Sequence, residues 1–219
     1  SGMKLEAKEG EKEFVLKTES LMIFIGKMGL LIRVEDHDGF VLSEDEKGFH
    51  WYDNEDFGGE NVILSRNIQA RERFYGLGDV PGHKDLRGQR RMLWGSDVYG
   101  YDASTDPLYK NIPFFIGLHH DRAYGIFFDN SFRSSFDFGE ERSSVASFWA
   151  QGGEMNFYFM DGPKVADVVS SYSRLTGVPE LPPLWALGFH QCKWSYKSED
   201  EVMAIASGCR SLEIPCDAI

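Results

Sequence analysis

Nine short apolar and aromatic runs, each bounded by a turn cluster, fill the first 162 residues and constrain the fold more than any other feature. They read "EFVLKT", "LMIFIG", "LLIRVE", "NVILSRNI", "RRMLWG", "IPFFIGLH", "YGIFFDN", "SVASFWA" and "EMNFYFM". Between them lie "EDHDG", "DNEDFGG", "LHHDR" and "AQGG". Segments of this length, rich in Phe, Ile, Val and Tyr, fit strands that bury one face. Many such strands in succession predict a mainly β chain with an antiparallel β-sandwich over residues 1–162.

After Gly162 the period changes. "PKVADVVSSYSRLTG" sets Val165, Val168, Val169, Tyr172 and Leu175 on one helical stripe, with Pro163 to open it and Gly177 to close it. "VPELPP" follows as a stiff linker, so residues 163–180 read as a connecting helix and Pro-rich linker. Next comes "LWALGFHQ", read as a short strand. "SEDEVMAIASGCRSL" is a helix with a Ser198–Glu201 capping box, and "IPCDAI" is a second strand. Strand, helix and strand make one βαβ unit over residues 181–219. A parallel sheet needs cover on both faces. The expectation is therefore that "RSLEIPCDAI" stops inside a larger, truncated α/β domain. Its unpaired edge leaves two outcomes, association into a homo-oligomer or local disorder.

Composition narrows the function classes. With 42% hydrophobic residues the chain can fill a core, and a net charge of −12 argues against nucleic acid, whose phosphates need clustered Lys and Arg. The basic run at residues 87–91 reads as a solvated turn. No apolar stretch approaches the ~18 residues of a membrane span. Ser1-Gly2 ahead of Met3 reads as a cloning remnant, and the compartment stays open. Cys192, Cys209 and Cys216 form no metal spacing and suit free thiols.

Chemistry-bearing patterns are few. "FYGLGD" holds a GxG with no helix behind it, which reads as a tight turn between strands rather than a phosphate loop. His119 and His120 are adjacent, so in a strand they point to opposite faces, and a hairpin end explains them better than a metal. The acids and aromatics of residues 50–59 read as a solvated loop, with His50 packing on the sheet. No complete catalytic constellation is visible.

Two stretches stand out. Residues 93–114, "LWGSDVYGYDASTDPLYKNIPF", gather Trp94, Asp97, Tyr99, Tyr101, Asp102, Asp106 and Tyr109 in a long segment with little strand character. Rings suit the apolar face of a sugar and carboxylates suit its hydroxyls; a loop packed on its own rings fits the residues equally well. "GFHQCKWSY" places His190 and Trp194 just past a strand of the βαβ unit, where parallel folds bind ligands. His190 reads as packing.

"FYGLGD", "WGSDVYGY…DPLYKNIPFFIGL", "YGIFFDNS", "PELPPLWALGFHQCKWSYKSEDEV" and "IPCDAI" resemble glycoside hydrolase family 31, in order and from about Phe74 onward. The resemblance implies a galactose-mutarotase-like antiparallel β-sandwich followed by the first βαβ unit of a (β/α)8 barrel. It implies a retaining hydrolase of α-linked glucosides, with an α-linked oligosaccharide or glucoside as partner and neither metal nor organic cofactor. Both catalytic aspartates are implied to lie further along the barrel, so no residue of this chain is assigned a catalytic role and the chain alone is expected to be inactive. Asp97 matches a loop aspartate that binds hydroxyls of the +1 sugar. Trp194 matches an aromatic after the first barrel strand that lines the −1 pocket. The family usually carries Asn-x-Asp where this chain has Gly95-Ser96-Asp97. An α-xylosidase or another member of the family, a non-catalytic sugar-binding sandwich and a domain that only buttresses a barrel are the alternatives.

Overall fold

The computed structural model describes residues 4–53 and 58–219. Six strands come first: β1 (Glu6–Glu9), β2 (Glu13–Lys17), β3 (Leu21–Gly26), β4 (Ile32–Asp36), β5 (Val41–Asp53) and β6 (Glu60–Asn67). Then follow β7 (Arg73–Gly78), β8 (Arg90–Leu93), β9 (Asn111–His119) and β10 (Arg122–Phe128). The last three are β11 (Ser134–Phe138), β12 (Val145–Ala150) and β13 (Phe157–Gly162). Helices α1 (Val165–Thr176) and α2 (Glu199–Ser211) flank a single 3-10 turn at Leu184–Leu187. The chain divides into two compact units, the first ending at Thr176 and the second beginning at Gly177.

Two antiparallel sheets build the first unit. Nine strands run in the order β1-β2-β3-β4-β5-β6-β12-β11-β8, and four in the order β13-β10-β9-β7. All nine runs singled out in the sequence lie on strands. Period-2 alternation explains the layering: Phe136 and Phe138 of β11 point inward, and Ser135 and Asp137 point out. Phe74 and Phe138 stack at 4.6 Å between ring centres, while Phe115 meets Phe136, Phe138 and Phe148 edge-on. Each such side chain contributes ~1.5–3 kcal/mol by burial, and an aromatic pair adds ~0.5–1.5.

The GxG motif is strand, not turn. Gly76 and Gly78 lie within β7 at a register shift against β9. A Cβ on Gly78 would sit 2.3 Å from the Lys110 carbonyl oxygen, and its φ of +91° is a glycine conformation. The motif serves close backbone approach. His119 and His120 do close a hairpin: His120 and Asp121 have positive φ, and His119 bonds the Leu42 carbonyl at 3.0 Å. Burial lowers the pKa of His119.

Helix α1 belongs to the sandwich unit, which therefore runs past residue 162 to Thr176. Its seam is narrower than the stripe. Val168 is fully buried, and Tyr172 stacks on Phe114 at 4.1 Å. Val165, Val169 and Leu175 stay exposed. Gly125 permits this approach, since a Cβ there would meet Val168 at 2.6 Å.

In the second unit "LWALGFHQ" is not a strand. Pro182 and Pro183 precede it, and the Ala186 and Gly188 amides close a 3-10 turn onto Pro183 and Trp185. Short apolar runs do not distinguish strand from helical turn. Parallel pairing with "IPCDAI" is confined to the His190–Ala218 bridge and its flanking bonds. The Ser198 cap holds: its hydroxyl accepts from Glu201 N at 3.3 Å, while Glu201 accepts from Lys197 N at 2.8 Å.

The basic run is an exposed turn at its start and strand at its end. Arg87 and Arg90 stay exposed while Arg87 donates to the Glu72 and Gln69 carbonyls and Arg90 pairs with Asp137; Arg91 alone of the three is buried, against Gln89. Around them lies a buried polar cluster. Arg66 faces Asp45 at 3.1 Å, an ion pair rather than an aligned hydrogen bond. Glu72 accepts from the Tyr124 hydroxyl and from Gln69 N, both at 2.6 Å. Burial raises the Glu72 carboxyl above its ordinary value of 4.5; the bonds from Tyr124 and Gln69 oppose that rise less strongly.

A pH dependence follows. The folded chain holds this proton more tightly than the unfolded one, so stability falls as pH climbs from the ordinary glutamate value through the raised one. Urea unfolding over about pH 4 to 7 is expected to show that fall. Glu72→Gln is expected to flatten it at a cost in absolute stability, because one amide oxygen replaces two acceptors. A slope unchanged in the variant contradicts the assignment.

Candidate functional site

Residues 94–110 connect β8 to β9 as a long loop held at its base. Asp106 Oδ2 accepts from Met92 N at 2.8 Å, and Asn111 Oδ1 accepts from Trp94 N at 3.2 Å. The Asn111 amide donates to the Leu108 carbonyl, Ser96 N bonds the same carbonyl, and Leu108 is buried. At the far side Asp79 N reaches the Lys110 carbonyl at 2.9 Å. These bonds fix where the tip stands.

Its three carboxylates have different duties. Asp102 closes a local turn, accepting from Ser104 N and Oγ at 2.8 and 2.7 Å. The Ser104 hydroxyl bond holds the Asp102 carboxyl below the usual aspartate value. Asp106 anchors β8, and burial pushes its carboxyl up. All three residues are exposed, and Asp97 differs in facing a side chain rather than backbone amides. It faces the Tyr109 hydroxyl, whose pKa is raised by desolvation and then by the Asp97 charge and hydrogen bond. Tyr109 in turn meets Tyr101 edge-on at 6.5 Å. Trp94, Tyr99 and Tyr101 are exposed around it, Tyr99 at 82%. An accessible carboxylate beside rings offers a sugar both stacking surface and acceptor.

Beneath the loop lies a 410 Å³ cleft bordered by Trp94, Asp129, Phe132 and Ser134. Asn111 and Asn130 also line it, but both amides serve the backbone. The sequence reading missed the Asp97–Tyr109 contact, which only loop closure creates. It also passed over Asp129, although "YGIFFDNS" was in view.

Trp194 lies in the second unit, between the His190 bridge and α2, with 94% of its surface exposed. Its segment is pinned on both sides. Lys193 pairs with Glu201, and the Tyr196 hydroxyl donates to the Gln191 carbonyl at 3.3 Å. His190 is exposed, its ring running roughly parallel to Trp185 with ring centres 6.4 Å apart. No element joins Trp194 to Asp97 within one unit.

Two family models match the chain. Residues 1–137 match the model of the glycosyl hydrolase 31 N-terminal galactose mutarotase-like domain. Residues 179–219 match that of the family 31 TIM-barrel domain. Alpha-glucosidase 2 of Bacillus thermoamyloliquefaciens is 36% identical over 213 residues, 96% of this chain and 26% of that protein. An alpha-glucosidase of Saccharolobus solfataricus is 33% identical over 67% of this chain and 21% of its own length. A Flavobacterium johnsoniae dextranase, solved as a mutant with isomaltotriose, superposes with a TM-score of 0.86 at 37% identity. That alignment covers 97% of this chain and 25% of the dextranase. The chain thus spans about a quarter of the length of these relatives.

Proposed function

The chain belongs to glycosyl hydrolase family 31, and on that premise we propose that it supplies the sandwich and barrel entry of a retaining α-glucosidase-type hydrolase. The observation that carries this reading is the β8–β9 loop, where Asp97 stands exposed beside Tyr109 while Asp102 and Asp106 are committed to the backbone. Asp97 then grips hydroxyls of the leaving sugar, and Trp194 offers its indole to the sugar being cleaved. Retaining chemistry needs a nucleophile and an acid/base carboxyl about 5–5.5 Å apart. In this reading both belong to the barrel beyond residue 219. The chain's own share of the work is to hold and orient the substrate.

Asp97→Ala in the full-length protein tests the loop. A hydrogen bond to a charged group is worth about 1.5–3 kcal/mol. The expected loss in kcat/KM on an α-linked disaccharide is therefore roughly 10–150-fold. An aryl α-glucoside, whose leaving group has no such hydroxyls, is expected to be nearly unaffected. Equal losses on both substrates contradict a leaving-sugar role and assign Asp97 to folding.

A further inference from the structure

The outer face of the nine-stranded sheet carries a concavity of 420 Å³ that the loop does not reach. Strand alternation creates it. Leu64, Phe136 and Phe148 turn into the core, so Ile63, Ser65, Asp137, Ser147 and Trp149 turn out. Ser65 and Ser147 are direct cross-strand partners, which puts their hydroxyls side by side. His50 and Tyr52 of β5 form one wall. His50 Nδ1 donates to the Gly48 carbonyl at 3.0 Å, a bond that does not use Nε2.

Arg90, Asp137, Glu141 and Arg142 form the opposite end, and their pairing selects the ligand. Arg90 is taken by Asp137, Glu140 and Glu141, and Arg142 binds Glu46 through two nitrogens. Asp137 Oδ1 accepts from Gly139 N and Glu140 N, and its Oδ2 accepts from Arg90 and Glu141 N. Neither guanidinium is left to attract an anion. What remains is flat aromatic surface, the Ser147 hydroxyl with the buried Ser65 beside it, one imidazole and Glu141 Oε1. That set suits a neutral, hydroxyl-rich ligand, and the volume falls in the ~300–1,000 Å³ range of small-ligand sites.

We propose that this concavity is a saccharide-docking site that seats an α-linked gluco-oligosaccharide against Trp149 and Tyr52. Its choice of α-glucan over other sugars rests on the function proposed above; its choice of a neutral polyol does not. Such a site tethers a polymeric substrate by a second point of attachment and raises its local concentration.

Titration of the protein with isomaltotriose by calorimetry, beside Tyr52→Ala, Tyr52→Phe, Trp149→Ala and Asp97→Ala variants, tests it. Tyr52 is exposed near the end of β5, so its variants keep the fold even if Trp149→Ala does not. Saturable binding is expected in the wild type. Tyr52→Ala is expected to weaken it about tenfold, which is ~1.4 kcal/mol, while Tyr52→Phe, which keeps the ring, stays within about twofold. Absence of binding to the wild type overturns the proposal. So does binding that Tyr52→Ala and Trp149→Ala leave unchanged, or binding that only Asp97→Ala abolishes. Competition by inorganic phosphate also overturns it, since that identifies an anion site. If isomaltotriose binds here but the full-length protein cleaves no α-glucoside, the proposed function fails and this site stands.

Discussion

Gly78→Ala is expected to destabilise the sandwich unit by about 2–6 kcal/mol, combining ~1–3 for a non-glycine residue at positive φ with ~1–3 for a forced backbone shift. The added Cβ would lie 2.3 Å from the Lys110 carbonyl oxygen and 3.0 Å from its carbon. Both are backbone atoms, so no side chain can swing away to make room. Lys110 ends the β8–β9 loop and its carbonyl accepts from Asp79 N at 2.9 Å. Displacing it therefore loosens the base that positions Asp97. Gly100→Ala is the control: its φ is +73° and nothing lies within 4 Å of the built Cβ, so only the conformational part remains. Whole domains have only ~5–15 kcal/mol in hand, so urea melts separate the two variants easily. A Gly78→Ala midpoint equal to that of Gly100→Ala shows that the close approach costs nothing and contradicts this account of the motif.

That glycine pair also marks the limit of what the sequence revealed. The nine strands it showed clearly are those where Phe, Ile and Val crowd into short runs, as in "IPFFIGLH" of β9. Strand β11, "SSFDF", escaped because Phe136 and Phe138 are its only apolar residues. Strand β5 escaped because its first half reads "VLSEDEKG", with Ser43 and Asp45 buried in the polar cluster around Arg66. It escaped also because residues 50–53, read as the start of a solvated loop over 50–59, are paired strand; residues 54–57 of that reading lie outside the described residues. "FYGLGD" looked like a turn because glycine signals both turns and close backbone approach, and only the partner strand distinguishes them. At the candidate site the residue types alone left Asp97 as one carboxylate among three, and the resemblance to family 31 picked it out. The structure adds that Asp102 is occupied by a local turn and Asp106 by the Met92 amide fourteen residues back, and only the second of these is tertiary. The outer concavity could not be read at all. Its floor and walls come from β5, β6, β8, β11, β12 and the turn after β11, which meet only when the sheet forms.

The second large effect concerns turnover. Enzymes of this kind accelerate their reactions by at least ~10⁶-fold, and general acid–base catalysis alone typically supplies ~10²–10⁴ of such a factor. In the proposed reading neither reacting carboxyl lies within residues 1–219. The chain is then expected to release no sugar from an α-glucoside above a heat-denatured control, however well it binds one. The full-length protein is expected to cleave the same substrate. A double-displacement route keeps the anomeric configuration, because two inversions at one carbon restore it. The deciding measurement is proton NMR of the first product formed by the full-length protein from an α-linked glucoside, before mutarotation equilibrates it. The α-anomer appearing first is the expected result; the β-anomer appearing first, or turnover by the 219-residue chain itself, contradicts the account.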